Sequence, residues 1–201
     1  MTTRITLIRH GETDWNLDGR WQGHAPVPLN ANGLRQAEDA APTLAHAGIT
    51  RIIASDLSRA YRTGEIIGAV LGLPVIPDRR WREIDLGRWQ GLTMPEINAW
   101  DTVEHDVFVA ASYIDRYFPE GESNRQHIAR VAAALDDLVA TYPGEHVLVA
   151  THGGSIRCAV YHLTGEPIHL AGNCSVTQLV HDGAGWSVRG VAETPAEVVW
   201  G

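Results

Sequence analysis

Residues 3–13 read Thr3-Arg4-Ile5-Thr6-Leu7-Ile8-Arg9-His10-Gly11-Glu12-Thr13. The first seven form a short β-rich run of the kind found in strands covered on both faces, as in a parallel sheet. The run ends on an Arg-His pair followed by glycine. Ligands in open α/β sheets bind beyond the carboxyl ends of the strands, so this corner is a candidate site. Gly11 is read as giving the chain a sharp turn and a ligand access to the backbone.

Two similar runs lie downstream, at 51–54 (Arg-Ile-Ile-Ala) and 146–151 (His-Val-Leu-Val-Ala-Thr). Helical patterns separate them. Leu57, Ala60, Tyr61, Gly64, Ile67 and Leu71 share one helical face, and Ile128, Val131, Leu135, Leu138 and Tyr142 share another. The second helix opens with Ser123 and Gln126 at capping-box spacing. A third helix is expected over about 32–47, kinked or shortened by Pro42. Residues 175–181 and 186–192 read as two strands joined across Asp182-Gly183-Ala184-Gly185. The expected fold is a three-layer α/β/α sandwich with a mostly parallel central sheet and an antiparallel edge strand. At 201 residues the chain is expected to be one domain, 1–201. Residues 93–122 break the rhythm and read as a small helical insert over one end of the sheet. They carry five aromatics: Trp100, Phe108, Tyr113, Tyr117 and Phe118.

Composition narrows the function. Acidic residues number 24 and basic residues 16, every one of the latter an arginine. A net charge of −8 argues against nucleic-acid binding and against docking to an anionic membrane. No apolar stretch approaches the ~18 residues of a membrane span, and Arg9-His10 arrives too early for a signal-peptide core. A cytoplasmic location is expected. Cys158 and Cys174 lie apart from any Cys/His cluster, so a reduced pair is expected and a zinc site is not.

Three more segments carry chemistry. Thr151-His152-Gly153-Gly154-Ser155 places a second histidine at a strand end, at the start of a helix whose N-terminus suits an anion. Ser55-Asp56-Leu57-Ser58-Arg59-Ala60 puts Arg59 in the first turn of a helix. The dipole offers a cation nothing there, and a guanidinium can grip phosphate oxygens in pairs. Arg82-Glu83-Ile84-Asp85-Leu86-Gly87 holds two carboxylates, either of which could deliver a proton to a leaving group.

Together these segments resemble the histidine phosphatase superfamily, the phosphoglycerate-mutase-like family. Arg9 to Asn16 is similar to its RHGE/xTxxN signature, and Gly19-Arg20-Trp21-Gln22-Gly23 to the GRxQG that follows. The SxLxRA element falls at 55–60 and the acid-bearing loop at Arg82-Glu83. Pro119-Glu120-Gly121-Glu122-Ser123 resembles PxGES, and Thr151 to Gly154 the second-histidine motif. The motifs span almost the whole chain in family order. The resemblance implies that His10 is a nucleophile taking the phosphoryl group. It implies that Arg9, Arg59 and His152 hold the phosphate oxygens, with Asn16, Gln22, Gly23 and Gly153 lining the same pocket. It makes Glu83 the general acid and later the base that activates water. No cofactor and no metal are implied, since two arginines and a histidine supply the positive charge that phosphoryl transfer needs. Nearby cations are expected to depress the His10 pKa and keep the ring neutral.

The expected substrate is a small phosphorylated metabolite, hydrolysed through phosphohistidine. A cofactor-dependent phosphoglycerate mutase is the alternative, and a non-catalytic phospho-ligand binding module is the alternative of another class. The complete set of His10, Arg59, Glu83 and His152 weighs against the module. Three features favour hydrolysis over mutation: the compact chain, a short C-terminal stretch over 194–201 without a basic tail, and the charge of the insert. Glu96, Asp101, Glu104, Asp106, Asp115, Glu120 and Glu122 stand there against Arg116 alone. Acids over the pocket would oppose a bisphosphorylated intermediate, unless they face water. Trp21, Trp81 and Trp89 flank the motifs and are candidates for pocket walls. Exposed sheet edges offer a route to a homo-oligomer, with no residue pattern selecting one.

Overall fold

The first run is a strand, β1 (Thr3–Arg9), paired in parallel with one neighbour and antiparallel with the other. In the computed structural model, which describes residues 1–198 and Trp200, β1 is followed by the short α1 (Asp14–Leu17) and by α2 (Ala31–Ala45). Next come β2 (Arg51–Ala54), α3 (Ser58–Leu71), β3 (Val75–Pro77), α4 (Met94–Trp100), α5 (Thr102–Ala110) and α6 (Asn124–Thr141). The chain then forms β4 (His146–Thr151), α7 (Gly153–Thr164), β5 (Val176–His181) and β6 (Trp186–Glu193). The sheet order is β3-β2-β4-β1-β5-β6. The first four strands are parallel. β5 runs against β1, and β6 pairs antiparallel with β5 to close that edge.

Both faces of the central strands are covered, which is why they read as continuous apolar runs. Ile5, Leu7, Val147 and Val149 face α6 and α7, through Val131, Leu135, Ile156 and Ala159. Ile8, Leu148, Ala150 and Ile52 face α2 and α3, through Ala37, Leu44 and Ile67. The three layers expected from strand–helix alternation are present. A third cluster, Ile84, Leu86, Trp89, Ile97, Phe108 and Phe118, lies beneath α4 and α5. Among the described residues, no helix is long and apolar enough to cross a membrane.

Pro42 neither ends nor shortens its helix: α2 continues to Ala45. The Pro42 side is exposed, so water can serve the carbonyl the proline leaves without a donor. Buried Ala41 and Leu44 hold the turn around it. The capping box of Ser123 and Gln126 opens α6, with each side chain bonded to the other's backbone. Within the tail at 194–201, Pro195–Glu197 forms a 3₁₀ turn and Val198 packs against the α2–α3 side of the core. Val199 and Gly201 of that stretch lie outside the described residues.

Candidate active site

β1 and β4 are adjacent and in register, Arg9 beside Thr151, so both strand-end motifs emerge at one corner. His10 and His152 follow at once, with ring centroids 5.2 Å apart. Gly11 also meets a packing need that the sequence did not show. A Cβ there would sit 2.3 Å from the Gly33 carbonyl oxygen, so the glycine admits the N-terminal turn of α2.

His10 is buried, and its Nδ1 lies 2.7 Å from the Gly11 carbonyl oxygen. A carbonyl only accepts, so Nδ1 carries the proton and Nε2 keeps its lone pair. Burial pushes the His10 pKa well below 6.5, and the charges of Arg59 and Arg9 push it further. Desolvation therefore leads, ahead of the neighbouring cations. Asn173 donates to the His10 carbonyl oxygen (2.9 Å) and to Asn16 Oδ1 (3.3 Å), binding the loop before β5 to the site.

Arg59 enters from the first turn of α3, as its position predicts. It is 1% exposed, and it donates to the carbonyl oxygens of Ala25 (3.0 Å) and Gly23 (2.7 Å). Burial lowers its pKa to about 10, which leaves it charged at neutral pH. Arg9 donates to the Ala171 carbonyl oxygen. Among the described residues neither arginine has a carboxylate partner, although each feels the charge of Glu83. His152 is fully buried, its Nε2 bonded to Ser55 Oγ (2.8 Å), and its Nδ1 has no partner among the described residues.

Glu83 faces the N-terminus of α7. Its carboxylate accepts from Gly154 N (3.0 Å) and from Ile84 N (2.9 Å). A Cβ on residue 154 would fall 1.9 Å from Glu83 Oε1, so the second glycine of the His-Gly-Gly turn makes room for the carboxylate.

These groups open on a cavity of about 430 Å³, the size of a small-molecule site. Arg9, His10, Asn16, Gln22, Gly23, Arg59, Glu83 and Gly153 line it, so eight of the nine predicted site residues meet there. His152, the ninth, lies behind His10 and does not line the cavity. Among the described residues Glu83 is the one acidic residue in the wall.

The insert takes the alternative that its sequence left open: none of its seven acids lines the cavity. Glu96 pairs with Arg20, Asp101 and Glu120 with Arg88, Asp115 with Arg125 and Glu122 with Arg130. Asp106 meets His105, and Glu104 accepts from the Tyr117 hydroxyl. What the insert sends inward is Arg116, over the Phe108 ring at 4.8 Å, and Phe108, Tyr113 and Phe118 line the wall. Trp100 and Tyr117 are exposed instead. Of the three tryptophans expected as walls, only Trp21 is one. Trp81 is buried in the core under α6, and Trp89 is buried with its Nε1 donating to Asp101.

Sequence reading missed Arg157. It follows Gly153 by one helical turn on the same face of α7, which is the signal that could have found it. Its guanidinium lies over the Tyr113 ring at 4.9 Å. Among the described residues the Nε atoms of Arg116 and Arg157 are buried without a partner, as are those of Arg9 and Arg59 and the Gln22 Oε1. Buried polar atoms without partners are costly, and their concentration around one cavity marks a place for a polar ligand.

A sequence model described as the histidine phosphatase superfamily (branch 1) matches residues 5–194. A protein of Proteus mirabilis named probable phosphoglycerate mutase GpmB is 33% identical, over 97% of this chain and 93% of its own length. The structure of a mycobacterial glucosyl-3-phosphoglycerate phosphatase complexed with VO3 has a TM-score of 0.86 at 31% identity, over 95% of this chain and 99% of that one. Bacillus stearothermophilus YhfR has a TM-score of 0.85 at 30% identity, over 96% and 98%.

Proposed function

The chain belongs to the histidine phosphatase superfamily (branch 1), and from that premise we propose that it hydrolyses small phosphomonoesters, without a metal ion, through phosphohistidine on His10. One observation carries the reading. A neutral His10, its Nδ1 tied to Gly11 and its Nε2 free, sits beside two buried arginines that have no carboxylate partner among the described residues.

In the first step His10 Nε2 attacks phosphorus and the bond from phosphorus to the leaving oxygen breaks. Glu83, protonated, gives its proton to that oxygen. Arg9 and Arg59, which line the cavity, stabilise the charge on the equatorial oxygens, and His152, buried against His10, backs the nucleophile. In the second step the Glu83 carboxylate takes a proton from water as the water oxygen attacks phosphorus. The bond to Nε2 breaks, inorganic phosphate leaves and neutral His10 returns.

Arg9 and Arg59 match a phosphate dianion, which leaves Arg116 and Arg157 for a second anionic group. We therefore expect the preferred substrates to carry a carboxylate or another phosphate beyond the scissile one. The two relatives named for phosphoglycerate compounds support this expectation. The same surplus of positive charge, with the acids of the insert turned outward, favours keeping the mutase as the second reading.

A phosphate-release screen in EDTA tests the proposal, with p-nitrophenyl phosphate, glycerol phosphates and phosphoglycerates beside a coupled 3- to 2-phosphoglycerate assay. Phosphate release that disappears in His10→Ala is expected. Isomerisation without release would make the protein a mutase, and activity lost in EDTA and restored by a divalent ion would reject the metal-free mechanism. Arg157→Ala should lower kcat/KM for phosphoglycerates by about 10- to 100-fold and leave p-nitrophenyl phosphate within about 3-fold.

A further inference from the structure

Glu83 sits in an irregular segment between two 3₁₀ turns, Arg79–Trp81 and Gly87–Trp89. Loop carbonyls of this kind are ordinarily left to water. Here every carbonyl from Arg80 to Glu83 accepts from a side chain of another element. Arg130 on α6 donates through Nη1 to the oxygens of Arg80 (2.8 Å) and Arg82 (2.9 Å), and through Nη2 to that of Glu83 (3.3 Å). Thr151 on β4 donates to the Trp81 oxygen (2.7 Å), and Ser155 on α7 to the Arg82 oxygen (2.8 Å). His24 Nε2 reaches the Glu83 oxygen (2.8 Å), and His127 Nε2 supports Ser155 Oγ (3.0 Å).

Arg130 is the hub. Its Nε and Nη2 also grip both oxygens of Glu122, at 2.9 and 2.7 Å. Glu122 in turn accepts from Asp85 N (3.1 Å), and its own N–H donates to the Asp85 oxygen (2.9 Å). The pair thus fixes the backbone on both sides of Glu83. Only a planar fork reaches a carboxylate and three carbonyls at once, and a lysine ammonium has no such geometry.

We propose that Arg130, locked by Glu122, is a positioning residue that aims Glu83 at the leaving-group oxygen. This rests on Glu83 acting as the general acid. Proton delivery tolerates little displacement, so freeing this backbone should cost acid catalysis while the nucleophile and the phosphate-binding arginines are left intact.

Leaving-group dependence separates this role from a structural one. An ester whose leaving group needs no proton is indifferent to Glu83, whereas an alkyl phosphate depends on it. The kcat/KM, which reports steps through phosphoenzyme formation, would be measured for Arg130→Lys over p-nitrophenyl, phenyl and alkyl phosphates. Ser155→Ala serves as a milder second variant and Glu83→Gln as the benchmark, with thermal melts recording folding.

Expected for Arg130→Lys is a loss of about 30- to 100-fold on alkyl phosphates, within the range of general acid catalysis, against less than about 3-fold on p-nitrophenyl phosphate. Ser155→Ala should lean the same way more weakly. Adding Arg130→Lys to Glu83→Gln should bring no further loss on alkyl phosphates. Equal losses on all esters, or additive losses in the double variant, would overturn the inference alone. A Glu83→Gln enzyme with an unchanged leaving-group slope would overturn the role of Glu83, and the inference with it.

Discussion

At the scale of single residues, the site is built by close approach. Gly154 shows this most directly, because a methyl group there would occupy the place of the Glu83 carboxylate. That obstacle is the tip of a flexible side chain, so it can move, but only away from the α7 N-terminus. Gly154→Ala is expected to melt within a few degrees of the parent and to lose about 10²-fold or more in kcat/KM on alkyl phosphates. Unchanged turnover would show that the carboxylate need not sit there. Many of these residues were legible in the sequence because their neighbours announce them: Arg9 and His10 at a strand end, Arg59 where a helix dipole gives it no reason to be. Arg130 was not. Three of its partners are backbone carbonyls, which every residue has, and the fourth, Glu122, lies eight residues before it at no helical pair spacing, so no side-chain pattern points to them.

At the scale of elements, the insert decides what the pocket accepts. Its aromatic content was visible in the sequence, but its orientation was not. Trp21, Trp89, Phe108 and Phe118 pack edge to face, or tilted for the two phenylalanines, with ring centroids 5.3 to 6.1 Å apart, and the cluster holds α5 against the loop after Gly19. Phe108→Ala should cost about 3 kcal/mol or more of stability and raise KM by opening the wall. Trp100→Ala, at an exposed ring, should change stability by about 0.5 kcal/mol or less and leave KM unchanged. Urea unfolding and steady-state kinetics on the two variants check both statements. A run of acids reads the same in sequence whether it faces a pocket or solvent. Here Arg20, Arg88, Arg125 and Arg130, which lie on other elements or turns, pair the acids away from the cavity.

At the scale of the whole molecule, the fold keeps several histidines dry. Burial lowers the pKa of His127 to about 3 and of His146 to about 4, and it holds His10 and His152 well below 6.5. Each is neutral when folded and free to protonate when the chain unfolds. The unfolded state therefore binds more protons below about pH 6.5, and stability present above that pH is lost as the pH falls. Across pH 7.5 to 5.5, an interval centred on the pKa of an unfolded histidine, each ring accounts for about 1.4 kcal/mol, so four give on the order of 5 kcal/mol. That is a large share of the total for a domain of this size. The urea midpoint should drop sharply over this interval, and a flat midpoint would show that these rings gain protons in the folded state. The layered sheet was readable from strand periodicity. The buried histidines were not, since a histidine at a helix or strand position carries no mark of its burial.

The most direct test of the mechanism is a rapid-quench experiment on Glu83→Gln with p-nitrophenyl phosphate in EDTA. This leaving group departs without a proton, while hydrolysis of the phosphoenzyme lacks its base. The expected result is a burst of about one p-nitrophenolate per chain, followed by slow turnover. The trapped phosphoryl group should be stable to alkali, labile to acid and confined to the peptide carrying His10. Turnover without a burst, or a phosphoryl group on any other residue, would contradict nucleophilic catalysis by His10.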